Sequence, residues 1–194
     1  MQGSATLPEE DAGPPGDLAI WMFILAEMLA FGVLFVVYAF SRAQQVELFN
    51  AAQLTLSRTA GAINTLVLLT SSWCVVRAVS AIRRDDAGRC ERWLASAVAL
   101  GGVFVAVKLW EFHVKSLAGI GLDSSDFYTF YYTLTGFHFL HVLMGMTILG
   151  FVIAKARRGG YSAEDHVGVE TGASFWHMVD LLWIILFPLV YVMR

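Results

Sequence analysis

The stretch "FYTFYYTLTGFHFLHVLMGMTILGFVIA", Phe127 to Ala154, contains no Asp, Glu, Lys or Arg along its whole length. A helix rises about 1.5 Å per residue, so roughly 20 apolar residues cross a hydrocarbon core of about 30 Å, and this run exceeds that. It lacks the ten-residue alternation of a spanning strand, and in lipid a lone segment must satisfy its backbone polar groups by helical bonding. The stretch reads as a transmembrane helix with His138 and His141 set inside it.

Working outward, four more stretches are long and apolar enough to span: about 18–40, 59–82, 93–117 and 172–193. The chain as a whole is 57% hydrophobic and 15% charged, a membrane-protein balance. The connections 41–58, 83–92, 118–126 and 155–171 are too short for a separate soluble domain. The fold class is therefore all-α: a polytopic membrane protein with one bundle of five transmembrane helices over residues 18–194. Residues 1–17, "MQGSATLPEEDAGPPGD", read as a disordered acidic Pro/Gly-rich tail. With no basic residue and no apolar run, this tail does not have the form of a signal peptide.

Basic residues near helix ends are retained on the cytoplasmic side. The face shared by the tail and the connections 83–92 and 155–171 carries Arg83, Arg84, Arg89, Arg92, Lys155, Arg157 and Arg158, with Arg77 one turn inside; the other face has Arg42, Arg58, Lys115 and Arg194. This predicts a cytoplasmic N-terminus and an outside C-terminus. The net charge of −3 owes its negative excess to the tail and gives no reason to expect nucleic acid as a partner. Cys74 reads as small apolar filler and Cys90 as a surface thiol, and no paired cysteine spacing for zinc, iron-sulfur or attached haem is present.

Ionisable side chains in the hydrocarbon region cost at least ~2.5 kcal/mol each on insertion scales, which makes them the informative positions. Here they are Glu27, Lys108, Glu111, His113, His138, His141, His177 and Asp180. Lys108 and Glu111, His138 and His141, and His177 and Asp180 are each three apart, so each pair shares a helix face. At about 1.5 Å per residue, Glu27 and His141 fall near the midplane. His177 and Asp180 lie roughly 5–9 Å to the cytoplasmic side, and Lys108 and Glu111 roughly 6–10 Å to the other. Glu27 is thus a candidate partner for His141 across the first and fourth spans.

Three readings of these groups are open. A haem or other metal site needs ligands at one depth from different helices, and the depths above separate His138 and His141 from His113 and His177. A proton relay, or an independent proton or ion conductor, is suggested by a carboxylate and an imidazole at one depth, although the first span supplies no further polar groups. The third is structural: polar fasteners between helices at about 0.6–2 kcal/mol per contact. Gly32, Gly61, Ala62, Gly101, Gly102, Gly136, Gly145 and Gly150 would permit the close helix approach that this needs. The aromatic run Phe127 to Tyr132 reads as an interfacial belt. Trp21, Trp93, Trp110, Trp176 and Trp183 read as interface anchors or bundle filling, and "RRDDAGRCER" (83–92) as a solvated hinge with headgroup contact second.

These polar positions and their surroundings resemble the subunit III family of haem-copper cytochrome oxidases from about Leu18 to the C-terminus. The strongest pieces are "TGFHFLHVLMG" (135–145) and "HVGVETGASFWHMVDLLWIILFPLVY" (166–191), matching the family's glycine-phenylalanine-histidine and tryptophan-histidine-x-x-aspartate motifs. "WMFILAEMLAFG" (21–32) carries the family's intramembrane glutamate at Glu27, and "KLWEFH" (108–113) its helix-borne glutamate at Glu111. The full-length family member has seven spans, and this chain lacks the first two. Short members of the family occur beside nitric oxide reductases and also in quinol oxidases, and the wording "DFYTFYYTLTGFHFLH" (126–141) resembles the nitric-oxide-reductase-associated short form. The resemblance implies a non-catalytic accessory subunit with no catalytic or metal residue and no cofactor of its own. It also implies a haem-containing catalytic partner bearing haem and copper or non-haem iron, and contact with phospholipid. The alternative within the family is subunit III of a cytochrome c or quinol oxidase.

Overall fold

The computed structural model describes residues 16–193, and among these all regular structure is helical. The elements are α1 (Leu18–Gln44), α2 (Val46–Gln53), α3 (Arg58–Ile82), α4 (Ala87–Leu117), α5 (Asp126–Arg157) and α6 (Val167–Phe187), the last continued by a π turn, Pro188–Val192. Five of these helices, counting α6 with its π turn as one, are long and apolar enough to cross a membrane. Asp17 and Gly16 are the described part of the predicted tail. The Asp17 carboxylate caps α1 by accepting from Ala19 N at 3.1 Å, and its own N–H donates to Thr171 Oγ1 at 3.2 Å. The rest of the tail lies outside the described residues.

Helices α1, α4 and α6 run a turn or more beyond the predicted spans, to Gln44, from Ala87 and from Val167, whereas α3 and α5 begin within one residue of the predicted starts; polar caps mark the starts. Ser57, Asp86 and Ser125 accept from Ala60, Arg89 and Tyr128 backbone N–H groups at the starts of α3, α4 and α5. Starting α4 at Ala87 places Cys90 on its inner face, fully buried, which corrects the surface-thiol reading. The connection 41–58 contains α2, whose Phe49 and Gln53 turn inward one helical turn apart.

Pro188 explains the end of α6. Without an N–H it cannot bond back into the last turn, and the chain widens so that Met193 N–H reaches Pro188 O at 2.9 Å. The carbonyls so exposed find partners elsewhere. Gln53 Nε2 donates to Val190 O at 2.9 Å, Tyr38 Oη to Leu189 O at 3.3 Å, and Arg58 Nε to Tyr191 O at 3.2 Å.

Helices α3, α4, α5 and α6 close a four-helix ring, α3 against α4, α4 against α5, α5 against α6 and α6 back to α3, while α1 packs on the outside against α5 and α6. Only 11% of the most apolar window of α1 is buried; Leu18, Met22, Leu25, Leu29, Val36 and Phe40 face outward, while Ile24, Phe31 and Tyr38 face the ring. The aromatic run at the start of α5 faces the other way: Phe127, Tyr128 and Tyr131 are buried in the ring, which corrects the belt reading. Trp176 and Trp183 fill the core and Trp110 faces outward.

Close approach falls on only part of the predicted small residues. A Cβ at Gly61, Gly101 or Gly145 would come within 2.6–2.9 Å of Phe187 or Trp176, whereas one at Gly32, Gly102, Gly136 or Gly150 would meet nothing within 4 Å. Gly172, not singled out by sequence, is buried and would place its Cβ 3.3 Å from Val152.

Candidate functional site: polar clusters within the bundle

The predicted polar residues fall into separate clusters. In the first, Lys108 and Glu111 of α4, one turn apart, form a buried ion pair with Nζ to Oε2 at 3.0 Å. Tyr191, brought inward by the π turn, accepts from Lys108 Nζ at 2.8 Å and donates to Glu111 Oε1 at 3.0 Å. Tyr131 of α5 accepts a longer contact from Lys108 at 3.4 Å. The ammonium also lies 4.9–5.6 Å from the ring centroids of Phe112, Tyr131, Trp183 and Tyr191, which adds cation–π attraction where water is excluded. A buried charge pair holds only when further hydrogen bonds satisfy its remaining donors and acceptors, and the two tyrosines do this here.

One turn beyond, Lys115 is also buried. Its ammonium lies 5.5 Å from the Tyr128 ring and 3.4 Å from Thr55 O in the α2–α3 connection, while Tyr128 Oη shares a hydrogen bond with Thr55 Oγ1 at 2.7 Å. Sequence reasoning placed Lys115 at a surface and overlooked Tyr131 and Tyr191. The one available signal was spacing: Lys108, Glu111 and Lys115 at i, i+3 and i+7 lie on one helix face.

The second cluster joins α1 to α5. His141 Nε2 lies 3.0 Å from Glu27 Oε2, and His141 Nδ1 lies 2.8 Å from Phe137 O. A carbonyl only accepts, so Nδ1 carries hydrogen. The contact to Glu27 then needs one more proton, held on Nε2 or on the carboxyl. Phe31 and Phe137 flank the imidazole with ring centroids at 5.4 and 4.7 Å.

His138, three residues earlier, points elsewhere. It is fully buried between Phe104 and Trp183, at 5.6 and 5.2 Å between ring centroids, and neither ring nitrogen has a hydrogen-bond partner among the described residues. The two histidines thus face different helices and cannot ligate one metal ion together. No grouping of three or more His, Cys, Asp or Glu suited to a metal is assembled among the described residues.

The third cluster joins α3 and α6. His177 Nδ1 lies 2.7 Å from Ser72 Oγ, and Ser72 also lies beside Asp180, so the pair expected from spacing meets through a serine of the neighbouring helix. Asp180 is buried and His177 half-buried. His113 is exposed on α4 and joins none of these clusters.

Such an arrangement defines a class: a multi-pass helical membrane protein whose intramembrane charges are tied to hydroxyls, imidazole and aromatic faces of neighbouring helices. A family profile described as cytochrome c oxidase subunit III matches residues 16–194. The chain belongs to the cytochrome c oxidase subunit III family. It is 35% identical to a cytochrome c oxidase subunit 3 of Thermostichus vulcanus, over 91% of this chain and 86% of that protein. It is 29% identical to a heme-copper oxidase subunit I+III of Aeropyrum pernix, over 89% of this chain and 22% of that protein. To a cytochrome bo(3) ubiquinol oxidase subunit 3 of Pseudomonas aeruginosa it is 26% identical, over 94% of this chain and 87% of that protein.

Proposed function

We propose that the chain is a non-catalytic accessory subunit of a haem-copper superfamily respiratory complex of the bacterial inner membrane, seated against a haem-containing catalytic subunit whose assembly or stability it supports. The observation that carries this reading is the family match, which extends through all five spans. The Aeropyrum relative, named as subunit I+III in one chain, supports a subunit I-type protein as the neighbour. On this reading haem and copper, or non-haem iron, belong to the partner, and the clusters above fix helix packing. The basic end of the bundle supports a cytoplasmic N-terminus.

The relatives' names support a partner that oxidises cytochrome c or quinol. A nitric oxide reductase partner is the second reading, favoured by the five-span length and by the wording "DFYTFYYTLTGFHFLH". Length alone does not carry it, because the Thermostichus relative is covered over 86% of its own length and bears the oxidase name. An independent conductor is the reading of another class, and the separation of the polar clusters among the described residues weighs against it. The test is the optical spectrum and metal content of the chain expressed alone. The proposal expects neither haem nor copper; either one in stoichiometric amount overturns it. Proteoliposome flux that disappears in Glu27→Gln would favour the conductor.

A further inference from the structure

We propose that the outward ridge of α6 around His177 is a binding site for the ring of an isoprenoid quinone or quinol. Two recesses meet at Ser174 and His177. One, of about 210 Å³, lies between α3 and α6 and is walled by Val76, Val79 and Ala173. The other, of about 360 Å³, lies between α6 and α1 and is walled by Ile24, Met28 and Leu181. Small-molecule sites are mostly apolar recesses of roughly 300–1,000 Å³ in which a few polar groups orient the ligand, and His177 is such a group here.

The imidazole is held for that role from behind. Its Nδ1 lies 2.7 Å from Ser72 Oγ, which lies beside Asp180, and Nε2 has no hydrogen-bond partner among the described residues. A hydroxyl both donates and accepts, so Ser72 lets Nε2 present either a proton or a lone pair. The first suits a quinone carbonyl and the second a quinol hydroxyl, so one ring can hold both redox forms.

Depth and charge select this ligand over a phospholipid. At about 1.5 Å per residue, His177 lies within the hydrocarbon region, roughly 6 Å from its nearer boundary. Charged phosphate heads are excluded from that depth, whereas a quinone ring carries no charge and can enter. Arg83 and Glu170, at the outer end of the first recess, are paired with each other at 2.7 Å and offer an anionic head no uncompensated charge. A ring nitrogen left unpaired among acyl chains is costly, and a carbonyl or hydroxyl at the same depth relieves that cost. Quinone as the ligand rests on the respiratory reading above, which the haem and metal content of the same preparation tests separately.

The full chain, purified in mild detergent, is titrated with decylubiquinone, decylubiquinol, decylbenzene and phosphatidylglycerol, with melting temperature as the readout. It is also photolabelled with an azido-quinone, and the labelled peptides are mapped. Saturable stabilisation by the quinone and the quinol is expected, with label on α6 and on the facing parts of α1 or α3. His177→Phe keeps a ring in place but removes the hydrogen bond, and should weaken quinone affinity about five- to tenfold. Ser174→Leu narrows the junction of the recesses without altering the Ser72 contact and should also weaken it. Equal stabilisation by decylbenzene overturns the proposal in favour of a plain apolar groove, and displacement of the quinone by equimolar phosphatidylglycerol overturns it in favour of a lipid. Absence of saturable binding, or unchanged affinity in either variant, overturns it outright. Label found only outside α1, α3 and α6 does so as well, whatever the stability of the variants.

Discussion

The Lys108–Glu111 pair shows what a buried charge demands of its neighbours. Removing one member leaves the other uncompensated, so Lys108→Met is expected to destabilise the protein by about 3–5 kcal/mol. Lys108→Met combined with Glu111→Leu should cost less than the sum of the single changes, because no orphaned charge remains. Thermal unfolding of the purified protein in detergent measures both; additive losses would mean that the two side chains do not act as a pair. At His141 a smaller effect is expected. In Glu27→Gln the amide can donate to Nε2 and keep the link, so the loss should stay within about 1 kcal/mol. His141→Leu leaves the carboxyl beside two phenylalanines and should cost more than Glu27→Gln in the same assay. The i, i+3 spacing made Lys108–Glu111 legible in the sequence, and matched depth suggested Glu27 beside His141. Tyr131, Tyr191 and Thr55 were not legible, because they reach Lys108 and Lys115 from α5, the π turn and the α2–α3 connection, and nothing local marks an aromatic residue as buried or interfacial.

Among the elements, tolerance at small residues is set by what faces them. Gly101 and Gly145 lie against Trp176, which would sit 2.9 and 2.8 Å from an added Cβ. Gly101→Val and Gly145→Val are therefore expected to lower stability by about 1–3 kcal/mol each, whereas Gly102→Ala, with open space around it, should be neutral or slightly stabilising. Equal melting temperatures across the three would contradict the packing of α6 against α4 and α5. The five apolar runs gave the spans to within a turn or two, because length and hydropathy suffice for that. The early start of α4 behind Asp86, the short helix α2 and the π turn at Pro188 were missed for one reason. Each begins in polar or proline-bearing sequence that composition alone assigns to a connection. The proline at 188 was the available signal that the last span would not end as a regular helix.

For the whole molecule, the closed ring of α3 to α6 with α1 on its outside leaves one span whose apolar side chains mostly face lipid or another protein. The chain's native thiols, Cys74 and Cys90, are buried, so introduced cysteines can report its orientation with little background. A membrane-impermeant thiol reagent should label Asp123→Cys in intact cells and Glu164→Cys only after permeabilisation; the reverse pattern would place the N-terminus outside. The family was legible because four motifs occur in order on four spans, while the seating of Arg77 against Trp73 and Trp93 became visible only when two helices came together. The most direct test of the account is purification of this chain, tagged and at native abundance, in mild detergent. A haem-containing membrane subunit should be retained in a one-to-one ratio, with all haem and metal assigned to that subunit. Recovery of this chain without any haem-bearing partner, or with haem of its own, would contradict it.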